Sequence, residues 1–132
     1  MRKAAFFLIF AFVSSLGCFF CNDSGTNNSS SCDSLTIKYP AGGEEFKVGT
    51  TYQIEWCVPA NATYTQTKVS LGVFTNGFGS YKDLKGASAL PVSQLSFAWT
   101  IDSTQIGDSC KIRVSDYDQN KRVTSGFFKI TR

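Results

Sequence analysis

The chain has 132 residues and a formal net charge of +3, and it contains five cysteines and no histidine. A charge this close to balance excludes the strongly basic surface that nucleic-acid binding requires. Without histidine the commonest general base and the commonest metal ligand are missing, so we expect no catalytic triad, no bound metal and no cofactor. The composition therefore favours a small protein that is not an enzyme.

The N-terminus predicts export. Arg2 and Lys3 precede an uncharged, largely apolar run over residues 4–20, which is typical of a secretory signal peptide. Leu16-Gly17-Cys18 resembles the bacterial lipobox, in which the cysteine receives lipid and becomes the new N-terminus. We predict a signal peptide over residues 1–17, lipidation of Cys18, and anchoring to the membrane at the cell envelope or surface. Ordinary signal cleavage followed by secretion, or an uncleaved anchor, are the alternatives.

A polar segment follows the apolar run. Residues 18–34 are rich in Asn, Ser, Thr and Gly, which cannot bury enough apolar surface to offset the entropy lost on ordering. We therefore predict a disordered tether over this segment. Removal of residues 1–17 would leave 115 residues with a net charge of +1, because Arg2 and Lys3 leave. That length suits one domain with one core, which we place at residues 35–132.

From Leu35 onward, apolar and polar residues alternate with a period of two, as in strands with one buried face. Asn76-Gly77 predicts a tight hairpin turn, because both residues tolerate positive φ. Trp56 and Trp99 fall on faces that point inward. The pattern predicts an all-β domain: an immunoglobulin/fibronectin-III-like antiparallel β-sandwich of seven to eight strands. The predicted strands cover residues 35–39, 46–48, 52–56, 68–73, 81–84, 95–101, 110–115 and 123–131.

Short motifs recur along this domain at characteristic spacings. They are Ile37-x-x-Pro40, Phe46-x-x-Gly49, Ile54-x-Trp56, Val69-x-Leu71, Phe97-x-Trp99, Ile112-x-Val114 and Ser125-x-x-Phe128-x-Ile130. The series resembles the Ser-Thr-rich glycosylphosphatidylinositol-anchored membrane family, which includes the N-terminal domain of yeast cell-wall synthesis proteins linked to beta-1,6-glucan assembly. Bacterial surface and secreted proteins carry the same module. The resemblance covers about three quarters of the chain, mostly core positions.

This resemblance implies a wall-associated domain without catalytic activity. The chain lacks both a long Ser/Thr-rich tail and an apolar C-terminal tail. We therefore do not expect a glycosylphosphatidylinositol anchor, for which the apolar tail is the signal.

The cysteines predict a disulfide bond, because exported chains pair their thiols. With the lipidated cysteine set aside, four remain and allow three full pairings. The strand over residues 35–39 should pair antiparallel with the strand over residues 52–56, which places Cys32 beside Cys57. We predict a disulfide bond between these two cysteines. Pairing of Cys57 with Cys110, on the immunoglobulin precedent, is the alternative. It is disfavoured because Cys57 should face outward and Cys110 inward, at opposite ends of the sandwich. Cys110 is then a buried apolar residue, and Cys21 is unpaired or bonded to another chain.

Two acidic patterns could indicate a functional site, either for calcium or for glycoside hydrolysis. Residues 116–120 have the D-x-D-x-N spacing of a calcium loop, but Lys121 and Arg122 follow and no glutamate ends the loop. We interpret this segment as a solvated hairpin turn. Glu44 and Glu45 form an adjacent acidic pair, but their surroundings lack the apolar character that a general acid needs. We therefore do not expect a glycosidase.

Aromatic side chains are the remaining candidates for a binding site. Most fall on inward positions, and the exceptions are Tyr64, Phe74, Phe78, Tyr81, Tyr117 and Phe127. Tyr64, Phe78 and Tyr81 lie in or near turns, where a rigid sandwich often presents function, and we predict that they face a ligand. Scattered partial burial is the alternative.

Aromatic rings can stack on sugars or hold a peptide. We expect a non-catalytic module at the cell envelope that binds wall polysaccharide or an envelope protein. The alternative is a purely structural spacer, or a stabilising subunit of a surface assembly.

Overall fold

The computed structural model describes residues 32–132, in which the regular secondary structure is β-strand apart from one 3₁₀ turn at Ser103–Gln105. The predicted signal peptide, Cys18, Cys21 and most of the predicted tether lie outside the described residues. Ten strands occur within residues 32–132. In chain order they are β1 (Thr36–Tyr39), β2 (Glu45–Lys47), β3 (Thr51–Cys57), β4 (Gln66–Thr75), β5 (Phe78–Asp83), β6 (Leu90–Pro91), β7 (Ser96–Thr100), β8 (Gly107–Asp116), β9 (Arg122–Thr124) and β10 (Phe128–Thr131).

The strands form two sheets whose inner faces share one core. The smaller sheet has the spatial order β1-β3-β7. The larger sheet has the order β2-β10-β8-β4-β5, with β6 added beside β4 and β9 beside β8. The ladders are antiparallel except for that between β2 and β10, which is parallel. The predicted all-β sandwich is confirmed.

Alternation along the strands explains which side chains enter the core. In β3, Ile54 and Trp56 are each 1% exposed, whereas Gln53 and Glu55 face solvent. Trp99 in β7 is 3% exposed and belongs to the same core cluster as Ile54 and Trp56, so both tryptophans are inward as predicted. Burial of such large apolar surfaces is the main source of stability for a sandwich of this size.

One aromatic residue contacts rings from both sheets. Phe46, the central residue of the short strand β2, is 1% exposed. Its ring centroid lies 4.5 Å from that of Tyr52 and 5.8 Å from that of Trp99 in the smaller sheet. The Phe128 ring in the larger sheet is 5.0 Å away, and all three pairs are edge-to-face, a favourable arrangement. Phe46 therefore holds the two sheets together at one end of the core.

The hairpin between β4 and β5 is confirmed. Asn76 and Gly77 form its two-residue loop with φ of 51° and 81°, and Thr75 pairs with Phe78 across it. Positive φ at both positions is the geometry of the turn whose twist matches that of the flanking strands.

Three sequence expectations need correction. The short strand β6 was not predicted, because a two-residue pairing has no periodicity. The single strand expected over residues 123–131 is divided into β9 and β10, because Ser125 still bonds to β8 while Gly126 donates to Ala41 O at 2.9 Å. Leu95, expected inside, precedes β7 and is 45% exposed.

The disulfide between Cys32 and Cys57 is confirmed, with Cα atoms 6.1 Å apart. Thr36 lies opposite Cys57 in the ladder between β1 and β3, so the residues before β1 lie beside the end of β3. Cys57 was expected to face outward, yet it is only 3% exposed. The strand ends here and the bonded Cys32 lies against it. Cys110 is in the other sheet, as a free and fully buried thiol.

Candidate functional site

The adjacent glutamates have structural partners. The Glu44 carboxylate accepts hydrogen bonds from the backbone N–H of Ala41 at 2.7 Å and of Gly42 at 2.8 Å, which closes the turn before β2. Glu45 forms an ion pair with Lys47 at 3.6 Å and accepts a hydrogen bond from the Thr131 hydroxyl at 3.1 Å. Each carboxylate thus stabilises the edge of the larger sheet through the partners named here.

Asp116 shapes the hairpin between β8 and β9. Its carboxylate accepts hydrogen bonds from the N–H groups of Asn120 at 2.8 Å and Lys121 at 3.1 Å. The hairpin turn is therefore as predicted, but Asp116 is 5% exposed rather than solvated, because its own turn covers it. Both oxygens are engaged by the backbone. Within residues 32–132, no group of three or more metal-ligating side chains is close enough to hold a metal ion.

Cys110 is a structural thiol. It is fully buried, and its sulfur donates to Gly107 O at 3.5 Å. Burial raises the pKa of the thiol to about 11, and the negative charge of Asp108 adds to this effect. The thiol therefore stays protonated at neutral pH, and a protonated thiol is a poor nucleophile.

The three aromatic residues expected to face a ligand lie apart. Tyr64 is half-buried in the loop before β4, and Phe78 begins β5 with 83% of its side chain exposed. β4 separates them, and ten residues of extended strand span roughly 33 Å. Burial raises the pKa of Tyr64, and Asp116 raises it further. Only Tyr81 lies among other outward aromatic rings.

The outer surface of the larger sheet carries a cluster of three rings. The Phe74 centroid lies 5.6 Å from that of Tyr81 and 5.8 Å from that of Phe127, both edge-to-face. Phe74 and Tyr81 are half-buried, and Phe127 is 52% exposed. We call these three residues the aromatic face. They belong to β4, to β5 and to the segment before β10, so three parts of the chain build it.

Two glycines let the rings lie close to the sheet. Gly72 pairs with Tyr81 in the ladder, and a Cβ on Gly72 would lie 2.7 Å from Phe74 Cε2 and 2.8 Å from Tyr81 Cε1. Gly79 pairs with Phe74, and a Cβ there would lie 2.6 Å from Phe74 Cδ1. The rings fill the space that side chains at these positions would occupy, which is a known way to cover glycine in a strand. The sheet therefore supports the rings directly.

Cations accompany the rings. Lys111 Nζ lies 4.2 Å from the Phe127 centroid, and Arg113 Cζ lies 3.8 Å from the Tyr81 centroid, both within the range of cation–π attraction. Burial raises the pKa of Tyr81, although the nearby Arg113 partly opposes this. Ser70 is 2% exposed on this same face, because these long side chains cover it. The outer surface of the larger sheet therefore carries aromatic rings and cations together.

Part of the aromatic face can be recognised in the sequence. Phe74 and Phe127 were recognised as outward-facing but were not joined to Tyr81. Lys111 and Arg113 alternate with the buried residues of β8, so their outward direction could be read from the pattern. Which ring each cation would meet depends on strand register, which the pattern does not contain.

No helix within residues 32–132 has the length and apolar character to cross a membrane. Comparison with protein-family models and with curated proteins finds no match. Among solved structures, the chain is similar to the fibronectin(III)-like modules of Clostridium thermocellum CbhA, with 15% sequence identity and a TM-score of 0.36. The similarity covers 73% of this chain and 93% of that one. It says nothing about ligand or activity, and the fold described above rests on the observed strand pairing.

Proposed function

We propose that this protein is a non-catalytic binding module of the cell envelope that holds wall polysaccharide on its aromatic face. The observation that carries the proposal is the contact of Phe74 with both Tyr81 and Phe127 on the outer surface, where they add nothing to the core. A pyranose ring has apolar C–H faces that pack well against an aromatic ring. Rings that cluster on an outer surface, here with Phe127 52% exposed, indicate a binding surface.

The dimensions of the face suit a polymer rather than one sugar. One row that crosses the sheet perpendicular to its strands contains, in order, Phe127, Lys111, Gly72 and Tyr81. Three strand-to-strand steps span roughly 14 Å, because neighbouring strands lie about 4.8 Å apart. That is longer than a single pyranose ring. The backbone under the rings is held by the sheet ladders, so little ordering is needed on binding, which favours affinity.

The predicted export signal supports the envelope as the location. Lipid attachment at Cys18, after removal of residues 1–17, would hold the domain at a membrane surface. The resemblance to a family of wall-associated domains supports the same surroundings, and it stays a prediction. We expect intact mass spectrometry of the protein from its own host to show the mass of residues 18–132 plus acyl chains. An unmodified Cys18 would contradict the lipid anchor.

Changing the aromatic face should weaken polysaccharide binding. We expect Phe127→Ala to lower the affinity for a polysaccharide found on a glycan array by about threefold to tenfold, because one stacked ring is lost. Isothermal titration calorimetry measures the effect. Phe78→Ala is the matched control, since Phe78 is as aromatic and more exposed but lies outside the face. Equal binding by both variants and the unmodified protein would contradict the proposal.

The other expected roles appear as distinct outcomes of the same experiment. If no glycan binds and one envelope protein copurifies in a fixed ratio, the protein is a subunit or spacer of a surface assembly. That result would overturn the polysaccharide proposal.

A further inference from the structure

We propose that the polysaccharide is acidic, a sugar polymer that carries carboxylates, and that Lys111 and Arg113 select it. This inference rests on the proposed function, since it assigns a charge to the ligand of the same aromatic face. It is argued from three observations: the free charge of the two cations, the charge around them, and their positions beside the rings.

The two cations are not neutralised by the protein. Within residues 32–132, neither Lys111 nor Arg113 lies within ion-pair distance of a carboxylate, and neither donates a hydrogen bond to another described residue. Arg113 Nε is buried without a hydrogen-bond partner among these residues. Each cation lies instead over a ring, and cation–π contact holds a cation in place without cancelling its charge. The Lys111 ammonium and the terminal nitrogens of Arg113 are therefore the donors available to an oxyanion, whereas Arg113 Nε is enclosed.

Two further cations lie beside Lys111 and Arg113. Lys68 and Arg122 extend from the same face, in the row of the sheet that follows Arg113. The carboxylates on this side are Asp83, which accepts a hydrogen bond from Ser70 at 2.7 Å, and Glu44, Glu45 and Asp108, which line a groove with Phe127. The four cations occupy consecutive rows of the sheet, and neighbouring cations attract a polyanion and speed its association.

The placement of the cations matches a repeating acidic polymer. Lys111 and Arg113 are two residues apart in β8, so their Cα atoms are separated by roughly 6.6 Å along the strand. Lys111 accompanies Phe127 and Arg113 accompanies Tyr81, so each ring has its own cation. A sugar packed beside either ring–cation pair would place a carboxylate near the cation. The planar arginine fork can bind such a carboxylate through two hydrogen bonds.

A matched pair of polymers tests this inference. Polygalacturonate and its fully methyl-esterified form share a backbone, but only the first is charged. We expect the full-length protein to bind polygalacturonate at least about tenfold more tightly than the ester, because charge-assisted hydrogen bonds form only with the carboxylates. Raising the ionic strength to about 1 M, where the Debye length is about 3 Å, should remove that preference.

Charge variants locate the effect. We expect the double variant Lys111→Gln/Arg113→Gln to lose the preference for polygalacturonate over the ester. Lys82→Gln/Lys85→Gln is the matched control: it removes the same charge from exposed residues that line a groove outside the aromatic face, and it should keep the preference. Circular dichroism melting of both variants shows whether each is folded.

The outcomes separate this inference from the proposed function. Equal binding to acid and ester, or a preference that survives in the Lys111→Gln/Arg113→Gln variant, would overturn the inference and leave polysaccharide binding in place. If neither polymer binds, a glycan array of acidic sugars and their neutral counterparts decides. A neutral ligand there overturns the inference, and an acidic one lost in the variant supports it. No glycan at all overturns both.

Discussion

Replacing Phe46 by alanine is expected to lower the free energy of unfolding by about 3–5 kcal/mol. Phe46 is 1% exposed, and its ring contacts Tyr52 and Trp99 on one sheet and Phe128 on the other. Truncation would remove these contacts and leave a cavity between two sheets, each of which is kept rigid by its own ladders. Such a site cannot collapse easily, so the effect should lie toward the upper end of the range.

Urea unfolding followed by circular dichroism measures this effect. Phe78→Ala is a matched control, because the same atoms are removed from a side chain that is 83% exposed. We expect it to change stability by no more than about 0.5 kcal/mol. Similar losses in the two variants would show that Phe46 does not join the sheets as described. A small domain has about 5–15 kcal/mol of stability, so Phe46→Ala should bring this one close to unfolding at ambient temperature.

Removal of the disulfide is expected to lower the free energy of unfolding by about 3 kcal/mol. The bond joins Cys32 to Cys57 across a sequence separation of 25 residues, and it restricts the unfolded chain. In the folded protein it attaches the residues before β1 to the end of β3. Loss of the bond should therefore also loosen β1, an edge strand paired only with β3.

The variant Cys32→Ser/Cys57→Ser and the reduced form of the unmodified protein should unfold at the same urea concentration. Cys110→Ala serves as the control, because it should retain the full sensitivity to reductant. Peptide mapping without reduction provides an independent check. A cross-linked fragment containing Cys57 and Cys110 would contradict the pairing.

The loss of stability in Phe46→Ala and the loss of binding in Phe127→Ala should be separable. Phe46 is enclosed between the sheets, whereas Phe127 extends from the outer surface. If Phe46→Ala reduces stability and Phe127→Ala reduces affinity alone, the core and the ligand-binding surface are distinct parts of the protein. A rigid sandwich that presents its site on the outside of one sheet has this property.

Features that depend on neighbours along the chain were predictable from the sequence. Alternation placed Trp56 and Trp99 in the core, and Asn76-Gly77 predicted the hairpin because positive φ is a local property. The pairing of Cys32 with Cys57 followed from the simplest antiparallel arrangement of the first two long strands. Each prediction required only the period of a strand or the geometry of a turn.

Features that depend on register between distant strands appeared only in the tertiary structure. Alternation shows that Phe74, Tyr81, Phe127, Lys111 and Arg113 point away from the core, but not which of them meet. Their contacts arise because β8 lies between β10 and β4, and because Gly72 and Gly79 leave room for the rings. The sequence alone determined the sandwich and its interior, apart from residues at strand ends such as Leu95 and Cys57, since hydrophobic burial acts on each strand separately. The binding surface was decided by the order and register of strands far apart in the chain, which local periodicity does not encode.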